Sequence, residues 1–280
     1  MPIDMMAVVL LGALLHAVWN ALVRAASDKF LNTVLIVSGA AVWTACWLPF
    51  APVPAVESWP YLGASVLIHI LYFSLVALSY RDADLSFVYP IMRGSAPALS
   101  ALLVAVLVHE SPSLTGWLGV LLVSGGILLL AGDSWRSGSF KRGPTALALA
   151  NAGVIMIYTL VDGMGVRLSG HAASYGGWLF FFTAIPLLLF AFGWQGRKAV
   201  KHLRLNWGKG LIGGACTLGS YGLALWAMTR APIALVASLR ETSVVFGTLI
   251  ALFFLGEQVS PLRRLSVLVV TAGAIAIKMS

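Results

Sequence analysis

Ten apolar runs, each close to the length needed to cross a bilayer, follow one another along this chain of 280 residues with little between them. They occupy 5–23, 30–50, 59–79, 85–108, 114–131, 145–166, 174–193, 209–229, 231–255 and 262–278. A helix needs about 20 apolar residues to span the hydrocarbon. The connections "RAASDK", "RDAD", "HESPS" and "GEQVSP" leave no room for a soluble domain. The fold class that follows is an all-α polytopic membrane protein with ten transmembrane helices. Only 10% of the residues are charged, against about 25% in a soluble domain. The net charge of +8 therefore marks cytoplasmic loops and gives no sign of a nucleic-acid partner. The partners expected are the lipid bilayer and a small molecule, with the chain a monomer or a weak homodimer. "MPIDMM" lacks a positive n-region and reads as the lead into the first helix, not as a cleaved signal peptide. Cys46 and Cys216 lie in apolar runs without metal-ligand spacing and read as small buried thiols. No metal and no cofactor is expected.

The longest connections are "GDSWRSGSFKRGP" (132–144) and the basic "WQGRKAVKHLRLNW" (194–207). The first divides the chain into residues 1–131 and 145–280. A shift of 147 residues places Arg93 on Arg240, Glu110 on Glu257 and Gly126 on Gly273. "IMRGSAPALSALLVAVLVHE" then aligns with "SLRETSVVFGTLIALFFLGE" without a gap. Apolar pairs match cheaply in membrane segments, but two Arg-to-Glu spacings at one offset do not. Five helices per half is an odd number, so the second copy enters the membrane from the opposite side. Inverted repeats of this kind hold a substrate near the midplane, at the interface between the halves.

Polar groups inside the spans are the candidate site. Arg93 lies between Pro90 and Pro97, where an unpaired charge costs about 2.5–3.5 kcal/mol on insertion scales. Two prolines remove helix hydrogen bonds, so "YPIMRGSAP" reads as a kinked helix with Tyr89, Arg93 and Pro97 on one face, lining a pathway. Its alternative is a packing kink without a ligand. Arg93 and Arg240 suit an anion or the acid end of a zwitterion, because a guanidinium fork binds carboxylate or phosphate in bidentate fashion. Each could instead neutralise a neighbouring carboxylate. His16, Trp19 and Asn20 share a face of helix 1, where the histidine can carry protons or join helices. Asn151, Tyr158 and Asp162 form a stripe on helix 6; Asp162 pairs with an arginine, carries a coupling proton, or is simply solvated near its helix end. Glu241, next to Arg240, balances Arg93 or protonates during transport. His69, Thr217 and Tyr221 are secondary candidates. Glu110 and Glu257 read as structural, and Gly210, Gly213, Gly214, Gly219 and Gly222 as close-packing positions.

Several motifs together resemble the drug/metabolite transporter superfamily, in its EamA type with ten helices in two repeats. They are "HAVWN" (16–20), the proline-centred fourth helix ending in Glu110 and followed by "GWLGVLLVSGGILLL", its echo ending in Glu257, and "YTLVDGMGVR" (158–167). The resemblance covers nearly the whole chain. It implies a secondary carrier of small metabolites that works by alternating access without ATP. "HAxWN" with "YPxxRGxxP" is also similar to a branch associated with phosphonate utilisation.

The function read at this point is transport of a small anionic or zwitterionic metabolite (amino acid, organic acid or phosphonate), with proton coupling through His16, Asp162 or Glu241. No catalytic residue is identified: Ser169 and His171 match no serine-protease spacing, and no HExxH or P-loop is present. A membrane-embedded enzyme and a flippase for lipid-linked metabolites remain the alternatives. The expected location is a bacterial inner membrane. Of the 16 lysines and arginines other than Arg93 and Arg240, 13 flank the loops after helices 1, 3, 5, 7 and 9, and three (Arg167, Arg230, Lys278) lie at the other end. The positive-inside rule puts those loops in the cytoplasm and both termini outside. The family resemblance implies the reverse for the termini.

Overall fold

The structure is a computed structural model and describes residues 1–81, 85–132, 142–253 and 260–280. Its helices are α1 (Ile3–Arg24), α2 (Lys29–Trp47), α3 (Trp59–Arg81), α4 (Leu85–Leu107), α5 (Leu114–Leu128), α6 (Arg142–Leu168), α7 (Ala172–Gln195), α8 (Arg197–Met228), α9 (Ile233–Arg240), α10 (Ser243–Phe253) and α11 (Pro261–Met279). Among the described residues, nine segments are long and apolar enough to cross a membrane, α9 and α10 together making one of them. The tenth, α11, carries Arg263, Arg264 and Lys278 near its ends. The protein is an all-α polytopic membrane protein.

Local chemistry sets several helix starts. Asp28 accepts the amide of Leu31 at 3.0 Å and opens α2. Ser113 accepts from Gly116 at the start of α5, and Ser260 accepts from Arg263 at the start of α11. These are side-chain caps on amides that a helix leaves unpaired. The two serines stand 147 residues apart, the same shift that superposes Arg93 and Arg240.

The helices pack across the halves in a pattern that survives their exchange. α1 packs on α8 and α3 on α6; α4 packs on α6, and α1 on α9 and α10; α5 packs on α11 and α2 on α7. The α5–α11 crossing shows the relation at atomic detail. A side chain on Gly119 would meet the carbonyl of Gly273 at 2.8 Å, and Ser266 donates to the carbonyl of Gly126 at 2.6 Å. Adding 147 to 119 and 126 gives 266 and 273, so the two contacts are images of each other. The closest approach is between α2 and α8. A Cβ on Gly39 would lie 2.0 Å from the carbonyl oxygen of Gly210, and one on Gly214 would lie 2.3 Å from the amide of Ala40. Backbones touch here, and only glycine permits it.

Four sequence expectations are corrected. The basic segment 194–207 is not a plain loop. Helix α8 begins at Arg197 and runs 32 residues, with Ala199 buried beside Leu31, Val34 and Ala191. α4 carries both prolines inside one helix, as a proline kink allows. The break falls instead in the ninth span, between α9 and α10, at Glu241 and Thr242. Cys46 is exposed rather than buried. α6 starts at Arg142, inside the expected linker, of which 133–141 lie outside the described residues, as does Glu257.

Candidate functional site: a cavity with two buried arginines

The break between α9 and α10 creates the centre of the site. Glu241 N–H reaches the carbonyl of Ser238, Thr242 N–H that of Leu239, and Val244 N–H that of Glu241. These are bonds three residues apart, a tightened turn of the kind that interrupts helices at functional positions. The Thr242 hydroxyl takes the Leu239 carbonyl as well, at 2.7 Å. The turn swings Glu241 toward α4. Arg93 Nη2 lies 2.7 Å from Glu241 Oε1 and 3.2 Å from His16 Nε2. Three elements, α1, α4 and the α9–α10 turn, thus meet through three buried polar side chains. Trp19 Nε1 approaches the other ring nitrogen of His16 at 3.3 Å. A neutral imidazole offers one lone pair, so His16 accepts one of these two donors at a time.

Arg240 sits differently. Its residue is 7% exposed, and among the described residues no carboxylate lies within ion-pair distance of it. Its guanidinium carbon lies 5.1 Å from the centre of the Tyr221 ring, a cation–π contact, and its Nε–H has no protein partner. Tyr221 in turn donates its hydroxyl to Asp162, whose other oxygen accepts from Tyr175 at 3.1 Å. Asp162 is fully buried, so it is not a solvated helix end. Arg240, Tyr221 and Asp162 form a relay from the cavity into the core.

Arg93 and Arg240 line one cavity of about 710 Å³, counting its open mouth. His16, Trp19, Tyr158, Tyr221, His69 and Thr217 line it too. Glu241 faces an adjoining cavity of about 250 Å³ that also touches Arg240. Tyr89 and Asn20 are not on the large cavity's wall. Tyr89 packs with Val88, Ile91 and Met92, and Asn20 donates back to the His16 carbonyl at 2.8 Å. Asn151 donates to Met92 Sδ at 3.0 Å.

The rest of the wall was not picked out by sequence. Tyr72, Phe73, Phe180, Thr183 and Ser220 are lining residues, set among many apolar neighbours at ordinary helical spacing. Tyr158 stacks on His69 with ring centres 4.6 Å apart, and Tyr72 meets Tyr158 edge-on at 5.8 Å. The hydroxyls of Thr183 and Ser220 are buried without a protein partner.

The cavity reaches from midspan toward one end. Its α1, α2 and α3 walls, such as Trp19, Thr33 and Tyr72, lie near the connections after α1 and α3. The other end is closed by an apolar cluster that includes Val9, Leu62, Val104, Val166 and Met228. Above that cluster, Arg167 at the end of α6 forms a two-pronged ion pair with Glu110. It also donates to the carbonyls of Met228 at 2.8 Å and Ala231 at 3.1 Å. His109, with φ 58°, ends α4 beside Glu110.

Comparison with known proteins agrees with this architecture. Residues 145–279 match the EamA-like transporter family. A transporter of Bacillus subtilis (strain 168), the uncharacterized YwfM, is 24% identical over 254 residues, covering 87% of this chain and 81% of its own. A crystal structure with 17% identity superposes with a TM-score of 0.72, over 99% of this chain and 97% of that one. At that identity the match concerns the fold alone.

Proposed function

Given that this chain is a membrane transporter of the drug/metabolite transporter superfamily, we propose that it is a secondary carrier of a small organic anion, alternating access around the Arg93–Arg240 cavity. The observation that carries this reading is the placement of two guanidiniums, one from each half, on the wall of one cavity open at one end. Buried arginines with so few partners are retained where an anion visits them. The two five-helix halves act as inverted repeats, and the ends of the cavity open in turn.

The open end carries the great majority of the basic residues, and by the positive-inside rule it is the cytoplasmic one. The conformation is then inward-facing, both termini lie outside, and the Arg167–Glu110 pair closes the outer end. Transport is coupled to protons through Glu241. Glu241 Oε1 occupies Arg93, while Glu241 Oε2 has no protein partner. A proton on Glu241 frees the Arg93 guanidinium for an arriving anion, so proton and anion are bound together. The charged and titratable groups facing Glu241 include Arg93 and Tyr89 on α4, its neighbour Arg240, and, beside Arg93, His16 on α1. Protonation of Asp162 is the second route, and His16 the third.

Purified protein in liposomes tests the reading. The expected result is saturable flux of an organic anion, chemically unchanged, driven by an inward-acid pH gradient and absent with Arg93→Ala. Chemical conversion of the solute would replace the carrier reading with catalysis. Flux indifferent to the pH gradient would remove the coupling and leave facilitated diffusion or exchange.

A further inference from the structure

Building on the carrier reading, we infer that the cavity selects a flat aromatic monocarboxylate without an ammonium group, anchored at its acid end by Arg240 and held along its ring by Tyr158 and His69. Three observations converge on this class.

First, the two arginines are not equivalent. Arg93 already has Glu241 at 2.7 Å and His16 at 3.2 Å. Arg240 is nine-tenths buried, has no carboxylate partner among the described residues, and presents an Nε–H that no protein atom takes. Tyr221 holds it by the ring face, which fixes the guanidinium plane without using its donors. A planar carboxylate matches that fork.

Second, the wall has no place for an ammonium group. Among the described residues the lining includes no Asp and no Glu; Asp162 is engaged by two tyrosine hydroxyls, and Glu241 Oε1 by Arg93. An amino acid would set its cation beside two guanidiniums, while the one nearby carboxylate, Glu241, is paired with Arg93 through Oε1 and turns its other oxygen to the adjoining cavity, a like-charge placement that disfavours it.

Third, the remainder of the wall is aromatic and flat. Tyr158 and His69 lie nearly parallel, 30° apart with centres at 4.6 Å, and Tyr72 and Phe180 stand edge-on to Tyr158 and Tyr221. Such walls favour a planar π-body over a flexible chain. The unpartnered hydroxyls of Thr183 and Ser220 supply donors for one further oxygen on the ligand.

Titration calorimetry on the detergent-solubilised full chain tests the class with phenylacetate, phenylalanine, succinate and phenylphosphonate as probes. Phenylacetate is expected to bind about ten-fold more tightly than the other three, one charge-assisted contact being worth that much. Arg240→Gln should weaken it by about ten- to hundred-fold. Tyr158→Leu should weaken it about three- to ten-fold. If Arg240→Gln does not fold, Arg240→Lys serves, keeping the charge and losing the fork, with an intermediate loss expected. Equal or tighter binding of phenylalanine overturns the exclusion of the ammonium group. Tighter succinate overturns the aromatic wall, and tighter phenylphosphonate overturns the carboxylate head. No heat with phenylacetate on folded wild-type protein overturns the proposal outright. The carrier reading fails separately: phenylacetate that binds, yet is never moved across proteoliposomes, sinks transport and leaves the ligand class standing.

Discussion

Arg93 and Glu241 meet at 2.7 Å although 148 residues separate them, because a broken ninth span turns one toward the other. Both are nearly inaccessible. Removing one member of a buried pair leaves an uncompensated charge and costs about 3–5 kcal/mol. Glu241→Gln keeps the shape and removes the charge. Carriers bearing it should bind anion with little dependence on pH and lose acceleration by an acid gradient. Binding and flux measured across a pH series decide this; an unchanged pH profile would show that Glu241 is not the coupling group. Arg93→Lys should recover only part of the flux lost in Arg93→Ala, since the fork is gone.

The Arg167–Glu110 clasp joins the end of α6 to the end of α4 and to the α8–α9 connection. It is about one-third exposed, so solvent screening limits it to about 1 kcal/mol. Glu110→Gln should still move the population toward opening at that end by about five-fold. A thiol introduced as Val9→Cys, with Cys46 and Cys216 replaced, should react faster with a membrane-impermeant maleimide applied there. Unaltered labelling would separate the clasp from gating.

The α2–α8 crossing tolerates no side chain. Gly39→Val or Gly214→Val should destabilise the fold by more than the usual overpacking cost of about 1–3 kcal/mol, because backbone atoms stand in the way. Gly222→Ala, with nothing nearby, should be neutral. Melting temperatures in one detergent compare the three.

Asp28 gives an acid-side signature. Burial pushes its carboxyl up, but the Leu31 amide and the Lys198 ammonium at 2.8 Å outweigh burial and hold it below the usual carboxylate range. A carboxyl with a lowered folded-state pKa stabilises above its unfolded value and loses that contribution as pH falls through the folded one. Asp28→Asn should therefore lower stability at neutral pH and shrink the gap to wild type in strong acid. Salt should weaken the effect, since Lys198 is largely exposed.

Orientation is tested by a C-terminal reporter. Alkaline phosphatase fused after Ser280 should be active and a fluorescent protein dark, if both termini lie outside as the lysines and arginines predict. Cytoplasmic fluorescence would reverse the assignment and make the open end of the cavity the outer one.

Hydropathy alone sufficed for nine of the ten expected spans, because crossing hydrocarbon imposes a length that folded context does not change. The partner of Arg93 was harder to read. Adjacent Arg240 and Glu241 announce two charges, but which of them faces α4 depends on a turn that no proline or glycine marks. The prolines pointed to α4 instead, where the helix continues regardless. Neighbouring helices can support a proline ring within a span. Tyr72, Phe180 and Thr183 escaped notice since an aromatic or threonine on a cavity wall looks in sequence like one facing lipid. Tyr89 shares a face with Arg93 by spacing, yet packs against Val88 and Ile91. Spacing assigns a helix face, and the neighbouring helix decides what covers it.

The glycine contact between α2 and α8 sets how the molecule can divide when it moves. Residue 39 comes from the first half of the chain and residues 210 and 214 from the second, with their backbones in touch. A seam this close slides or rocks as one body more readily than it opens. In the proposed carrier, the pieces that move would therefore not be the two halves written in the sequence. Each such piece would take helices from both halves, held together by the Gly39–Gly210 contact.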